Sequence, residues 1–163
     1  MLVPEIMVPV QGVPPVTFSI PHYTLTTVER DPSATKTIVK LVLNPAKGSN
    51  INVEVWLPDA DKWTARFLGL GNGGAAGSIN SGNLAAQSAA GYAVATTDMG
   101  TAPNSDSGVG NREVWKDFGF RATHLMTVVA KQIVRAHYGK EPELSYFSGG
   151  STGGQQALHA QFR

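Results

Sequence analysis

The pattern of apolar and polar residues between positions 35 and 57 predicts a pair of antiparallel strands. Apolar and polar residues alternate through Asn50–Leu57, which is typical of a half-buried strand. The segment Thr35–Asn44 is rich in residues that favour strands, and residues 44–49 have the composition of a hairpin turn. Residues 1–34 contain six prolines, so we predict an irregular N-terminal segment there.

The remaining pattern predicts parallel strands joined by helices. Three short apolar runs, at 66–70, 92–96 and 144–148, each end in a glycine-containing loop. Such runs separated by longer segments indicate parallel strands with crossover connections. Apolar residues recur every three or four positions through Phe118–Tyr138, which predicts a helix ended by Gly139. The polar, glycine-rich residues 100–112 are predicted to form a surface loop.

Composition narrows the class of protein. The 163 residues include 42% hydrophobic residues, enough for one globular domain with a core. The net charge of +1 disfavours nucleic acid as a partner, and no stretch approaches the roughly 18 apolar residues of a membrane span. The chain has no cysteine, so disulfides and thiolate metal sites are excluded. Its N-terminus is a poor match to a signal peptide, because it has no basic start and is interrupted by prolines.

The segment 149–153, Gly-Gly-Ser-Thr-Gly, matches the G-x-S-x-G pattern of a nucleophile elbow between a predicted strand and a predicted helix. In such an elbow a tight, strained turn exposes the nucleophile, here Ser151, and requires small residues such as Gly149 and Gly153 beside it. The backbone N–H of Thr152 would then face a developing oxyanion at a helix N-terminus. The alternative is a glycine-rich turn whose serine only caps the helix.

The glycine-rich loop at 69–77 has three interpretations. As an oxyanion loop, it would supply a second backbone N–H from Gly73 or Gly74. As a dinucleotide fingerprint, it would use Gly71, Gly73 and Ala76, with Asp98 at the end of the next strand to bind a ribose. Antiparallel strands upstream, and a weak helix start in 77–91, count against that second interpretation. The third is a plain tight turn.

The remaining catalytic residues are expected beyond residue 163. In α/β-hydrolases the acid and then the histidine follow the serine, yet the twelve residues after Ser151 contain no acid and only His159. That histidine would lie about 12 Å along the helix from Ser151, too far to act as its base. We predict a loop-anchoring role for Asp98. We predict a packing role for His124 and a favourable charge–dipole position in the last helical turn for His137. Surface or capping positions are predicted for Asp106, Glu113 and Asp117, and His22 lies in the irregular N-terminal segment.

From about Arg66 onward the chain resembles the tannase and feruloyl esterase family of α/β-hydrolases. The resemblance rests on four segments: Gly71–Gly74, Gly91–Gly100, Asp117–His124 and Tyr146–Leu158. It implies an incomplete α/β-hydrolase fold, in which antiparallel first strands are followed by parallel strands that end just after the elbow. Residues 35–163 would then be the N-terminal part of a catalytic domain whose lid and C-terminal part are absent.

The same resemblance implies a secreted or periplasmic serine esterase acting on small aromatic esters such as ferulates or gallates. It assigns Ser151 as nucleophile and Thr152 with the 71–74 loop as oxyanion donors. No cofactor is implied on this chain, although calcium is expected in the absent lid. Many members carry a bridged cysteine before the serine, where this chain has Gly150, which indicates a disulfide-free branch. A dinucleotide-binding oxidoreductase domain and a non-catalytic hydrolase-like remnant remain as alternatives.

Overall fold

The computed structural model describes residues 23–31 and 36–161, and the side chains of residues 36–160. Within these ranges the chain forms strands and helices in the order β1 Tyr23–Asp31, β2 Lys36–Leu43, β3 Ile51–Pro58, β4 Arg66–Leu70, α1 Ser81–Ala89, β5 Tyr92–Thr97, α2 Arg112–Lys116, α3 Ala122–Tyr138, β6 Leu144–Ser148 and α4 Thr152–Gln161. A short 3₁₀ turn spans Ser105–Gly108, and a π-helical turn at Asp117–Arg121 leads into α3.

The described strands form a single mixed sheet in the order β1-β2-β3-β5-β4-β6. Strands β1, β2, β3 and β5 pair antiparallel in succession, whereas β4 pairs parallel with both β5 and β6. The predicted change from antiparallel to parallel pairing is therefore confirmed. Since β4, β5 and β6 run in the same direction, the loops after them meet at one edge of the sheet.

Two apolar clusters cover the two faces of the sheet. Alternate residues of β3, among them Val53 and Val55, pack with α3 on one face, and Trp56 packs with Leu84 of α1 on the other. This alternation follows from the period of two along a strand. The helices therefore flank the sheet on both sides and fix the positions of the loops at its carboxyl edge.

Helix α3 carries the apolar stripe that its sequence predicts. Its buried side chains include Met126, Val129 and Ile133, which face β3 and β5. Gly139 follows it with φ +71°, the left-handed conformation that ends many helices and that glycine adopts without steric cost. None of the described helices is long and apolar enough to cross a membrane.

Two expectations about local structure were wrong. Residues 23–31, predicted to be irregular, form strand β1, because their backbone pairs along the edge of β2 from Tyr23↔Leu43 to Asp31↔Lys36. The rest of the 1–34 segment lies outside the described residues. The segment after the glycine loop also forms a helix, α1, which Asn80 caps by accepting a hydrogen bond from the Asn83 N–H at 3.1 Å.

Candidate active site

Ser151 lies in the strained turn that the sequence predicts. It is an exposed residue between the end of β6 and the start of α4, and its φ is +55°. A left-handed backbone at a non-glycine residue costs about 1–3 kcal/mol and persists only where the surrounding structure enforces it. The turn continues into α4, whose positive N-terminal end favours negative charge beside the serine.

Close backbone packing explains why glycines surround this turn. A Cβ on Gly149 would lie 2.7 Å from the Gly153 Cα, and a Cβ on Gly71 would lie 2.5 Å from that same atom. A Cβ on Gly153 would in turn lie 3.1 Å from the Asn72 carbonyl oxygen. The predicted requirement for small residues beside the serine is therefore confirmed. It also extends to the loop after β4, which touches the first turn of α4.

Side chains of α4 bind this loop directly. The Thr152 hydroxyl donates to the Gly74 carbonyl at 2.8 Å. The Gln156 amide accepts from the Asn72 N–H at 2.7 Å and donates to the Asn72 side-chain oxygen at 3.2 Å. The structure thus brings Thr152 together with the predicted oxyanion loop, and Gly73 and Gly74 are exposed beside it.

The other side of the loop is tied to β5 and to the turn that follows it. The Asn72 side chain donates to the Thr97 carbonyl at 2.8 Å, and the Thr101 hydroxyl donates to the Ala75 carbonyl at 2.6 Å. Loop residues 71–77 are therefore held between α4 and β5. Such an arrangement can present backbone N–H groups at fixed positions, as oxyanion stabilisation requires.

Asp98 anchors the turn after β5, as the sequence suggested. Its carboxylate accepts hydrogen bonds from the Asn52 N–H at 3.0 Å, from the Asn52 side chain and from the Gly100 N–H at 2.8 Å. The side chain is buried, and burial raises the pKa of this carboxyl while the three hydrogen bonds oppose the rise. A carboxylate engaged in this way does not project toward a ribose.

The contacts of the glycine loop and of Asp98 favour the oxyanion interpretation of this loop over the other two. The presence of α1 removes one argument against a dinucleotide fingerprint. The position of Asp98 supplies a stronger one, because the acid that would bind the ribose is turned inward to Asn52 and Gly100. Contacts of the loop with Thr152 and Gln156 favour the oxyanion interpretation over a plain turn.

Asp117 departs from its predicted surface or capping position. It is fully buried, accepts a hydrogen bond from the Ser49 hydroxyl at 2.6 Å and pairs with Arg121 at 2.5 Å. The cause is the π-helical turn, which directs Asp117 inward against Gly100, where an added Cβ would lie 2.8 Å from the Asp117 Cβ. Glu113 also binds Arg121, at 2.8 Å, and its hydrogen bonds to Lys116 and then to Arg121 lower the pKa of Glu113.

The structure brings no described histidine to Ser151 as a base. His159 is exposed near the end of α4, two turns after the serine, while His124 and His137 are partly buried on α3. His22 lies outside the described residues. Within residues 36–160, no group of three or more His, Cys, Asp or Glu side chains could hold a metal ion. The calcium expectation concerns a lid outside this sequence and stays a prediction.

Gln156 is a site residue that sequence reasoning did not single out. It is 2% exposed and also donates to the Thr123 hydroxyl at 3.0 Å, which links α4 to α3. One signal in the sequence could have indicated Gln156: it lies four residues after Thr152, and residues four apart lie on the same face of a helix. The hydrogen-bond partner of its amide, Asn72, lies 84 residues earlier in the loop after β4 and could not be identified from the sequence.

Comparisons with known proteins identify the family of this chain. The family model described as tannase and feruloyl esterase matches residues 36–163. A probable feruloyl esterase B-2 of Aspergillus flavus is 40% identical over 123 residues, which cover 75% of this chain and 23% of that protein. The chain thus spans about a quarter of the length of the curated relatives that it matches.

Solved structures show the same fold. An esterase from Aspergillus oryzae has a TM-score of 0.75 at 27% identity, over 85% of this chain and 32% of its own. Feruloyl esterase B from Aspergillus oryzae has a TM-score of 0.70 at 29% identity, over 95% of this chain and 28% of its own. These likenesses confirm the predicted α/β-hydrolase fold class, of which the chain forms one part. Since the family model covers more than half of the sequence, the chain belongs to the tannase and feruloyl esterase family.

Proposed function

We propose that the full-length protein, meaning the longest natural product that contains this sequence, is a carboxylic ester hydrolase acting on esters of aromatic acids. Ser151 is its nucleophile. The observation that carries the proposal is the left-handed backbone of Ser151, at φ +55°, in a turn packed against the loop after β4. Strain of this kind is concentrated at functional sites. Relatives named as probable feruloyl esterases support the aromatic acyl group.

The reaction proceeds in two acyl-transfer steps. The Ser151 hydroxyl oxygen attacks the ester carbonyl and its proton passes to a histidine, which we place after residue 163. The N–H of Thr152 and an N–H of Gly73 or Gly74 stabilise the negative oxygen that forms. The proton then passes to the departing alcohol, which leaves an acyl-enzyme, and water activated by the same histidine releases the acid. By family resemblance, we also propose a secreted or periplasmic location.

Hydrolysis of methyl ferulate and methyl gallate by the full-length protein tests this function. Ser151→Ala is expected to lower kcat by at least about 10⁴-fold, since the nucleophile acts as a unit with its base. Ser81→Ala is a suitable control because Ser81 is an exposed serine at the first residue of α1. Equal activity of wild type and Ser151→Ala would refute the assignment. Folded wild-type protein that hydrolyses neither ester would favour a non-catalytic hydrolase-like protein.

A further inference from the structure

Gln156 is a buried residue of α4 whose side-chain amide makes three hydrogen bonds. Its oxygen accepts the Asn72 N–H at 2.7 Å, and its nitrogen donates to the Asn72 side-chain oxygen at 3.2 Å and to the Thr123 hydroxyl at 3.0 Å. Both N–H groups and the carbonyl oxygen are therefore engaged. Only 2% of the residue is exposed; its bond to Thr123 is buried, and its two bonds to Asn72 are partly buried.

These contacts fix the loop on both sides of Gly73. Gln156 holds Asn72, and Thr152, one helical turn earlier, holds the Gly74 carbonyl at 2.8 Å. The Asn72 N–H is used by Gln156, so the second oxyanion N–H is expected from Gly73 or Gly74, the exposed residues that follow it. Thr152 also carries the first predicted oxyanion N–H on its own backbone. One face of α4 thus sets the spacing between the two halves of the oxyanion site.

We propose that Gln156 is a positioning residue for the oxyanion loop and acts together with the Thr152 hydroxyl as a clamp between α4 and that loop. This inference rests on the proposed esterase function and deepens it. Preorganised donors stabilise a transition state because they need no rearrangement as charge develops. Gln156 itself touches no reacting atom. Its effect therefore falls on kcat rather than on substrate binding.

Steady-state kinetics of the full-length protein with methyl ferulate test the clamp. Gln156→Met, which keeps side-chain length but removes all three bonds, is expected to lower kcat about 10²-fold with little change in KM, because a shift of about 1 Å in a site can cost that factor. Affinity for phenylboronic acid, whose tetrahedral serine adduct places a negative oxygen at the same donors, is expected to fall in parallel.

Two controls separate positioning from stability. Tyr138→Phe removes another partly buried hydrogen bond, from the Tyr138 hydroxyl to the Pro58 carbonyl at 2.6 Å, at the C-terminal end of α3. It is expected to lower stability while kcat stays unchanged. Gln155→Met makes the same replacement at the neighbouring exposed residue and is also expected to keep wild-type kcat.

A second pair of variants keeps the proposal testable if Gln156→Met does not fold. Thr152→Val removes the hydroxyl without changing side-chain shape and is expected to lower kcat about tenfold relative to Thr152→Ser. A kcat for Gln156→Met within threefold of wild type, or equal kcat for the two Thr152 variants, would overturn the clamp. If wild type neither hydrolyses ester nor binds boronate, the proposed function itself fails and the clamp fails with it.

Discussion

Gly149 and Gly150 offer a matched test of the packing that creates the elbow. An alanine Cβ at Gly149 would lie 2.7 Å from the Gly153 Cα and 2.8 Å from its carbonyl carbon, whereas ordinary contacts begin at 3.4 Å. The end of β6 and the start of α4 must therefore separate by about 0.7 Å. Both groups are backbone, so no side chain can rotate away. We expect Gly149→Ala to lower the free energy of unfolding by about 1–3 kcal/mol, the usual cost of overpacking.

Gly150→Ala is the control because no atom of the described residues lies within 4 Å of a Cβ there and the backbone is not left-handed. It is expected to be neutral or to stabilise by about 0.4–1 kcal/mol, since alanine restricts the unfolded chain. Urea denaturation of the full-length variants, followed by tryptophan fluorescence, measures both effects. A Gly149→Ala protein as stable as Gly150→Ala would refute the packing argument.

Two further predictions concern the buried carboxylates. Burial raises the pKa of Asp98 above its ordinary value of 3.8, so the folded chain keeps the carboxyl proton to higher pH than the unfolded chain does. The contribution of Asp98 to the free energy of unfolding therefore falls as pH rises from about 4 through the folded pKa. Urea denaturation across that range is expected to show this decline in wild type but not in Asp98→Asn; equal slopes would contradict it. Asp117→Asn is expected to cost about 1.5–3 kcal/mol of unfolding free energy, because it removes the charge that pairs with Arg121, while Arg121 keeps its pair with Glu113. Lys116→Met, which loses an exposed pair, is expected to cost no more than about 1 kcal/mol, and a similar loss in both variants would contradict the buried pairing.

The elbow could be predicted from the sequence because its constraints are local. Glycines at 149 and 153 and a serine between them are required by a single tight turn, and the structure shows that turn with Ser151 at φ +55°. The short apolar strands were equally predictable, since each is a brief apolar run that ends in a loop, and β4 and β5 bury successive residues on both faces. Helix α3 followed from its apolar stripe and from Gly139.

Features that depend on distant partners could not be predicted in this way. Strand β1 forms because β2 offers an edge, and α1 forms despite Gly82 because Leu84 is buried against the sheet. Asp117 is polar in the sequence but meets Ser49, 68 residues earlier, in the folded chain. Gln156 likewise acquires its partner only when the loop after β4 reaches α4.

Covalent labelling of the full-length protein with a fluorophosphonate tests whether Ser151 is the nucleophile. The reagent reacts with activated serine nucleophiles, and peptide mass spectrometry locates the adduct. We expect one adduct, on Ser151 within residues 141–163, that is absent in Ser151→Ala and forms more slowly when methyl ferulate is present. Labelling at another serine, together with ester hydrolysis that persists in Ser151→Ala, would contradict the assignment of Ser151 as the nucleophile.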